Sequence, residues 1–257
     1  MQFTPQLDTT ETSSTANLKS ESKRSFIPEE AIVNGIRIFG FPDKLALIEY
    51  AEGKNKLLVA VNAEKIYNAD PELKEVINQN IGYPDGVGAV WALKQKGISE
   101  VTKIPGVELW LEIVKQHHKD KKFYFIGARE DIIQGTISKL RQEFPGIAVV
   151  GFRNGYLKDG DQEMLIEDLL DKAPDYVFVA MGSPTQERLM IAMSEKCPAV
   201  YLGLGGSFDI YSGKTKRAPA IFINNRLEWL YRLLSEPKRA ARQIKLIDFA
   251  WKMINKQ

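Results

Sequence analysis

The chain of 257 residues has one cysteine, two histidines, a formal net charge of only +2, and no apolar run near the roughly 18 residues that a bilayer span requires. Each scarcity excludes something. A lone Cys197 cannot close an internal disulfide, and with no Cys/His cluster around it the residue reads as a small buried apolar side chain in a reducing compartment. His117 and His118 are adjacent, without i, i+4 spacing or carboxylates at ligand intervals, so they read as surface residues near a helix C-terminus and no metal site is expected. The first 25 residues hold no apolar signal region, so the chain is expected neither to span a membrane nor to be exported. Missing too are the GxGxxG dinucleotide fingerprint, the GxxxxGK[ST] phosphate loop, the Gly-x-Ser-x-Gly elbow and any repeat at a solenoid period. These absences count against dehydrogenases, P-loop nucleotidases, serine hydrolases and repeat arrays.

What is present has the balance of a soluble globular protein, with 44% apolar and 26% charged residues. Residues 1–25 are rich in Ser, Thr and charge and poor in large apolar side chains, the composition of a disordered tail. From Ala31 onward, short branched and aromatic runs alternate with stretches of helical period. Strands are expected at Ile36–Phe39, Lys56–Val61, Lys122–Ile126, Ile147–Gly151, Asp175–Met181 and Ala199–Leu204. Helices are expected at Asp43–Glu52, Pro71–Gln79, Gly86–Lys96, Gly106–His118, Glu130–Glu143, Gln162–Lys172 and Thr185–Ser194. Several strands are apolar throughout, as strands covered on both faces should be. The fold class is therefore α/β: a Rossmann-like, mainly parallel sheet flanked by helices, occupying residues 26–213.

Residues 214–257 form a separate unit in this reading. Between Lys214 and Lys256 stand eleven Lys or Arg against three acids, a net of +8 that leaves −6 for the rest of the chain. Trp229, Tyr231, Phe249 and Trp251 are interleaved with the cations, and Pro237 divides the segment into two helical pieces. Ala240, Ile244, Ile247, Trp251 and Ile254 share one stripe, with Lys238, Arg242, Lys245 and Lys252 broadly opposite, which describes a basic amphipathic helix suited to an anionic membrane surface. Such a segment also suits a nucleic-acid footprint, but no nucleic-acid module accompanies it.

In open α/β sheets ligands lie beyond the carboxyl ends of the strands, so the residues after each apolar run carry the information. These are Asn62-Ala-Glu-Lys65, Tyr83-Pro-Asp-Gly-Val-Gly88, Gly127-Ala-Arg-Glu130, Gly182-Ser-Pro-Thr-Gln-Glu187 and Gly205-Gly-Ser-Phe-Asp209. Small residues there let backbone N–H groups approach a phosphate, and helix N-termini favour its charge. Asp85-Gly86 suits a turn and helix cap equally well, Ser183-Pro184 also suits a helix start, and Gly205-Gly206 a tight turn. Asp159-Gly-Asp161 has the form of a metal-nucleotide DxD element but precedes a helical stretch that needs a cap, and is read as loop and cap.

Taken in order and spacing, these loops with Lys216-Arg-Ala-Pro219 and Leu227-Glu-Trp-Leu-Tyr-Arg232-Leu-Leu-Ser-Glu-Pro-Lys-Arg239 resemble the WecG/TagA/CpsF family of bacterial glycosyltransferases, family 26, from about Ile36 to Arg242. The resemblance implies transfer of an N-acetylmannosamine-type sugar from a UDP-sugar donor to polyprenyl-diphosphate-linked N-acetylglucosamine. It implies the cytoplasmic face of the cell membrane as the place, peripheral attachment, inversion at the sugar, and no metal or cofactor. The stretch Ala60-Val-Asn62-Ala-Glu-Lys looks like the N-acetylmannosaminuronate transferases of enterobacterial common antigen lipid II synthesis, and lacks the Thr-x-Asn of teichoic acid linkage enzymes. Asp85 is then the base, and Arg232, Arg239 and Arg242 the cations that meet the departing diphosphate. Asn62, Lys65, Gly127, Arg129, Gly182, Gln186, Gly205 and Asp209 are expected to bind substrate, Lys65 as the partner of a uronate carboxylate. Rival readings are an N-acetylmannosamine transferase of teichoic acid or capsule type, a non-catalytic nucleotide-sugar-binding protein and a sugar-nucleotide dehydrogenase. The partners considered with these readings include a second copy of the chain, as a homo-oligomer.

Overall fold

The computed structural model describes residues 26–215 with 218, 219, 221, 222 and 231. Residues 1–25, the cations Arg232, Arg239 and Arg242, and the apolar stripe from Ala240 to Ile254 lie outside the described residues.

The first element is a hairpin. β1 (Glu30–Val33) and β2 (Ile36–Phe39) pair antiparallel across Asn34 and Gly35, whose φ values of 50° and 80° are those of the tight turn that Asn-Gly favours. This corrects the expectation that Ile36–Phe39 joins the main sheet: it belongs to a separate ribbon. Asn78, in the helix that spans Pro71–Gln79, ties the ribbon down by accepting from Arg37 N at 2.7 Å and donating to Gly35 O at 2.9 Å.

After α1 (Lys44–Ala51), the chain alternates as β3 (Leu57–Val61), α2 (Ala63–Asn68), α3 (Pro71–Gln79), β4 (Ile81–Pro84), α4 (Val87–Gln95) and α5 (Gly106–His117). It continues as β5 (Lys122–Gly127), α6 (Glu130–Glu143), β6 (Ala148–Arg153), α7 (Asp161–Lys172), β7 (Tyr176–Ala180), α8 (Thr185–Ser194), β8 (Val200–Gly203) and α9 (Ser207–Tyr211). The six strands β3 to β8 form one parallel sheet in the order β4-β3-β8-β7-β5-β6. Asp43, Asn62 and Asp70 cap α1, α2 and α3 by accepting N–H bonds of 2.8–2.9 Å from the residue three positions on.

Alternation along each strand divides the core into two layers. Leu58, Phe123, Phe125, Phe178 and Leu202 pack with α1, α5, α6 and α9, around a fully buried Trp110 that meets Phe178, Phe208 and Tyr211 edge-on. Val59, Val61, Ile126, Val177, Val179 and Tyr201 pack with α2, α3, α4, α7 and α8. Cys197 is buried in this second layer, its thiol donating weakly to Leu169 O at 3.6 Å.

Three segments read as loops are regular structure. Tyr83 and Pro84 end the buried strand β4, Glu64 and Lys65 lie in α2, and Asp209 lies in α9. The helices α2 and α9 have six and five residues, too short for apolar period to reveal, and Gly82 and Pro84 interrupt the apolar run of β4. His117 also departs from its surface reading: its ring stacks on Tyr176 at 5.6 Å and its Nε2 lies 3.1 Å from Glu52 Oε1.

Candidate active site

A parallel sheet sets all its carboxyl ends along one edge. Following the strand order, that edge presents Asp85 after β4, Asn62 after β3, Gly205 after β8, Gly182 after β7, and Gly127 with Arg129 at the end of β5. The candidate residues among the described ones therefore share an edge although they span more than half of the sequence.

Asp85 is fixed from two sides. Its N–H donates to Val61 O at 3.0 Å, extending the β3–β4 pairing by one step, and its Oδ1 accepts from Gly106 N at 2.8 Å. Gly106 opens α5, and the residue before it, Pro105, has no side-chain acceptor to cap the helix, so Asp85 performs that role from a distant loop. The Asp85 carboxylate is half-buried, and the N-terminus of α5 that it caps favours negative charge there. The neighbouring loop is close: a Cβ on Gly86 would lie 3.5 Å from Asn62 Cβ.

Beneath Asp85 lies Tyr83, fully buried, its hydroxyl without a hydrogen-bond partner. Burial, and then the negative charges of Asp85 and Glu187, push this phenol well above its ordinary pKa.

Lys65 and Glu187 form an interior ion pair. Lys65 Nζ is 2.7 Å from Glu187 Oε1 and also donates to Ala60 O at 2.9 Å, with the two side chains 12% and 1% exposed. Burial pushes the Glu187 carboxyl upward, but the charge and hydrogen bond of Lys65, with help from Gln186 and the Ser183 hydroxyl, hold its pKa below the ordinary value. Its Oε2 is buried without a well-formed hydrogen bond. The Lys65 ammonium, expected to await a substrate carboxylate, is thus already engaged. Gln186 is buried as well: Oε1 accepts from Gly182 N at 3.1 Å and Gly205 N at 2.9 Å, and Nε2 donates to Glu187 Oε1 at 3.2 Å. Two N–H groups expected to approach a phosphate therefore point at a protein oxygen.

Toward β6 the edge opens. Gly127 has φ +131°, and a Cβ there would collide with the Ala180 carbonyl, so only glycine lets β5 run this close to β7. Arg129 donates Nε and Nη2 to both Asp131 oxygens at 3.0 and 2.6 Å. That bidentate contact lowers Asp131 and raises Arg129, with a smaller contribution to Arg129 from Asp209. Beside it is a hollow of about 320 Å³ lined in part by Tyr124, Phe152, Asn154 and Met164. Asp161 accepts from Lys158 N at 2.9 Å and pairs with Arg153 at 2.9 Å at the start of α7. Among the described residues no group of three His, Cys, Asp or Glu is placed to hold a metal ion.

Glu187 and Tyr83 are the residues to which sequence reasoning gave no role. Glu187 carried a signal, an acid in the first turn after Ser-Pro-Thr; Tyr83 carried none beyond its place beside Asp85. Compared with known families, the chain matches the glycosyl transferase WecG/TagA/CpsF family model over residues 35–257.

Proposed function

The chain belongs to the glycosyl transferase WecG/TagA/CpsF family, and from that premise we propose that it moves N-acetyl-D-mannosaminuronic acid from UDP to polyprenyl-diphosphate-linked N-acetylglucosamine. The observation that supports this most is Asp85, a carboxylate oriented at the sheet edge by Gly106 N–H and the Val61 carbonyl. The acceptor hydroxyl gives its proton to Asp85 as its oxygen bonds to the sugar C1, and the C1–O bond to UDP breaks from the opposite face, which inverts the centre. UDP leaves with the electron pair. Arg232, Arg239 and Arg242 meet its charge in this proposal, and the basic segment 214–257 docks on the anionic cytoplasmic face of the membrane. No helix among the described residues is long and apolar enough to cross a membrane.

One observation favours a second donor. With Lys65 bound to Glu187 and Ala60 O, a uronate carboxylate must find its cation elsewhere, which suits the uncharged UDP-N-acetylmannosamine. UDP release with each donor, with and without lipid-linked acceptor, tests both readings. Acceptor-dependent release with preference for the uronate is expected. A wide preference for UDP-N-acetylmannosamine replaces the donor, and donor binding without turnover leaves a nucleotide-sugar-binding protein.

A further inference from the structure

Gln186 stands in the first turn of α8 with 4% of its surface exposed, and its carboxamide joins three segments of the chain. Oε1 takes the N–H groups of Gly182, after β7, and Gly205, after β8, while Nε2 gives a hydrogen to Glu187. Only one orientation of the amide satisfies all three. Turned over, it would set its NH₂ against two N–H donors and its oxygen against a carboxylate. Glu187 enforces that orientation because an ionised carboxylate can only accept. Lys65 keeps it ionised from 2.7 Å away and is itself anchored to β3 through Ala60 O. Gly203 leaves the room this arrangement needs, since a Cβ there would run into Gln186 Nε2.

We infer that Lys65 and Glu187 are positioning residues of the transfer site, acting through Gln186 to hold the Gly182 and Gly205 loops at a fixed separation for the UDP-sugar. The inference rests on the function proposed above. Because both glycine N–H groups are spent inside the protein, the pair sets the shape of the loops and does not itself touch the diphosphate. Asp85 bonds to other partners, Gly106 N and Val61 O. The effect of breaking the pair therefore falls on donor binding and not on the chemical step.

The test is the Lys65→Met/Glu187→Met double variant of the full chain, which removes both charges together and strands neither. Two quantities are read: amide exchange at Gly182 and Gly205 by NMR, and the split between donor KM and kcat. Exchange at these two amides is expected to quicken about 10-fold or more while the β5 and β7 amides stay as in the parent. Donor KM should rise on the order of 10-fold with kcat within about 3-fold. Lys65→Arg, which keeps the charge, should restore most of the parent KM. Should the double variant fail to fold, Glu187→Gln carries the same two readouts. A lowered melting temperature with parental donor KM, or with parental exchange at both glycines, overturns the inference and leaves a purely structural pair. A parent protein that turned over no UDP-sugar would sink the transferase reading itself, and the two amides alone would then decide whether the pair holds the loops.

Discussion

Lys65–Glu187 and Arg129–Asp131 are ion pairs of nearly equal length, 2.7 and 2.6 Å, at the same edge of one sheet. Their surroundings differ. The first has side chains 12% and 1% exposed and sits among backbone carbonyls and a buried carboxamide; in the second both side chains are 56% exposed, beside an open hollow. Attraction in a water-poor interior is strong but costs desolvation, and removing one partner leaves a charge with nowhere to go. Attraction at the surface is screened, and water replaces whichever partner is lost. Geometry alone thus says little about what a pair does. The β4-β3-β8-β7 side of the edge is interlocked and can orient reacting groups, whereas the β5-β6 side is solvated and can rearrange around a ligand.

The largest effect expected lies in the interlocked half. Asp85→Asn should lower acceptor-dependent turnover by about 10² to 10⁴ while the circular dichroism melt stays near that of the parent. The Asn oxygen can still accept from Gly106 N, so the cap on α5 survives. Parental turnover would reduce Asp85 to a helix cap.

Next comes the contrast between the pairs. Lys65→Met alone should cost about 3–5 kcal/mol in urea unfolding, because it leaves Glu187 buried and unpaired. Arg129→Ala should move the urea midpoint far less, because the pair is exposed and water replaces the lost partner. Equal losses from the two would erase the distinction between the halves.

Gly203→Ala should be intermediate, about 1–3 kcal/mol for forcing a methyl group against Gln186, with donor KM raised. A neutral result would mean that Gln186 gives way easily.

The smallest effects separate the pairs by solvent. Glu187 is depressed below its ordinary value, so it contributes stability that is complete above the ordinary carboxylate range and is lost as pH falls through the folded pKa. Parent and Glu187→Gln midpoints should therefore converge between pH 5 and the acid limit, a window set by about 4.3 for an unperturbed Glu. Asp131 is depressed in the same direction by Arg129, but 1 M salt should abolish its share and spare that of Glu187. Equal salt sensitivity would show that water reaches both.

Periodicity revealed the doubly covered parallel sheet because β7 and β8 are apolar without interruption, and it placed helices such as α5 and α6 within a residue or so. It did not reveal β1, although Asn34-Gly35 is a hairpin signal, nor β4, whose apolar run is broken by Gly82 and Pro84, nor α2 and α9, which are too short for a period to register. At the site, the residues themselves were legible and their bonding was not. Lys65 and Glu187 stand 122 positions apart, and nothing in either neighbourhood says that they meet. Gln186, Gly182 and Gly205 were all expected to face substrate, yet they face one another. A donor and an acceptor in a loop look the same in sequence whether their partner is a ligand or the next loop.

Cys197 has a practical use. It is the only thiol in the chain, is 2% exposed, and burial pushes its pKa upward, so an alkylating reagent should find almost no thiolate in the native protein. Its slow labelling then acts as a clock for the lifting of α7 or α8 from the sheet. A second cysteine introduced at exposed Tyr156 would be the one group to take up a fluorescent tag under native conditions, with no background to subtract. The molecule thus comes ready for watching its solvated half respond to a donor, while the buried thiol reports whether the scaffold has stayed closed.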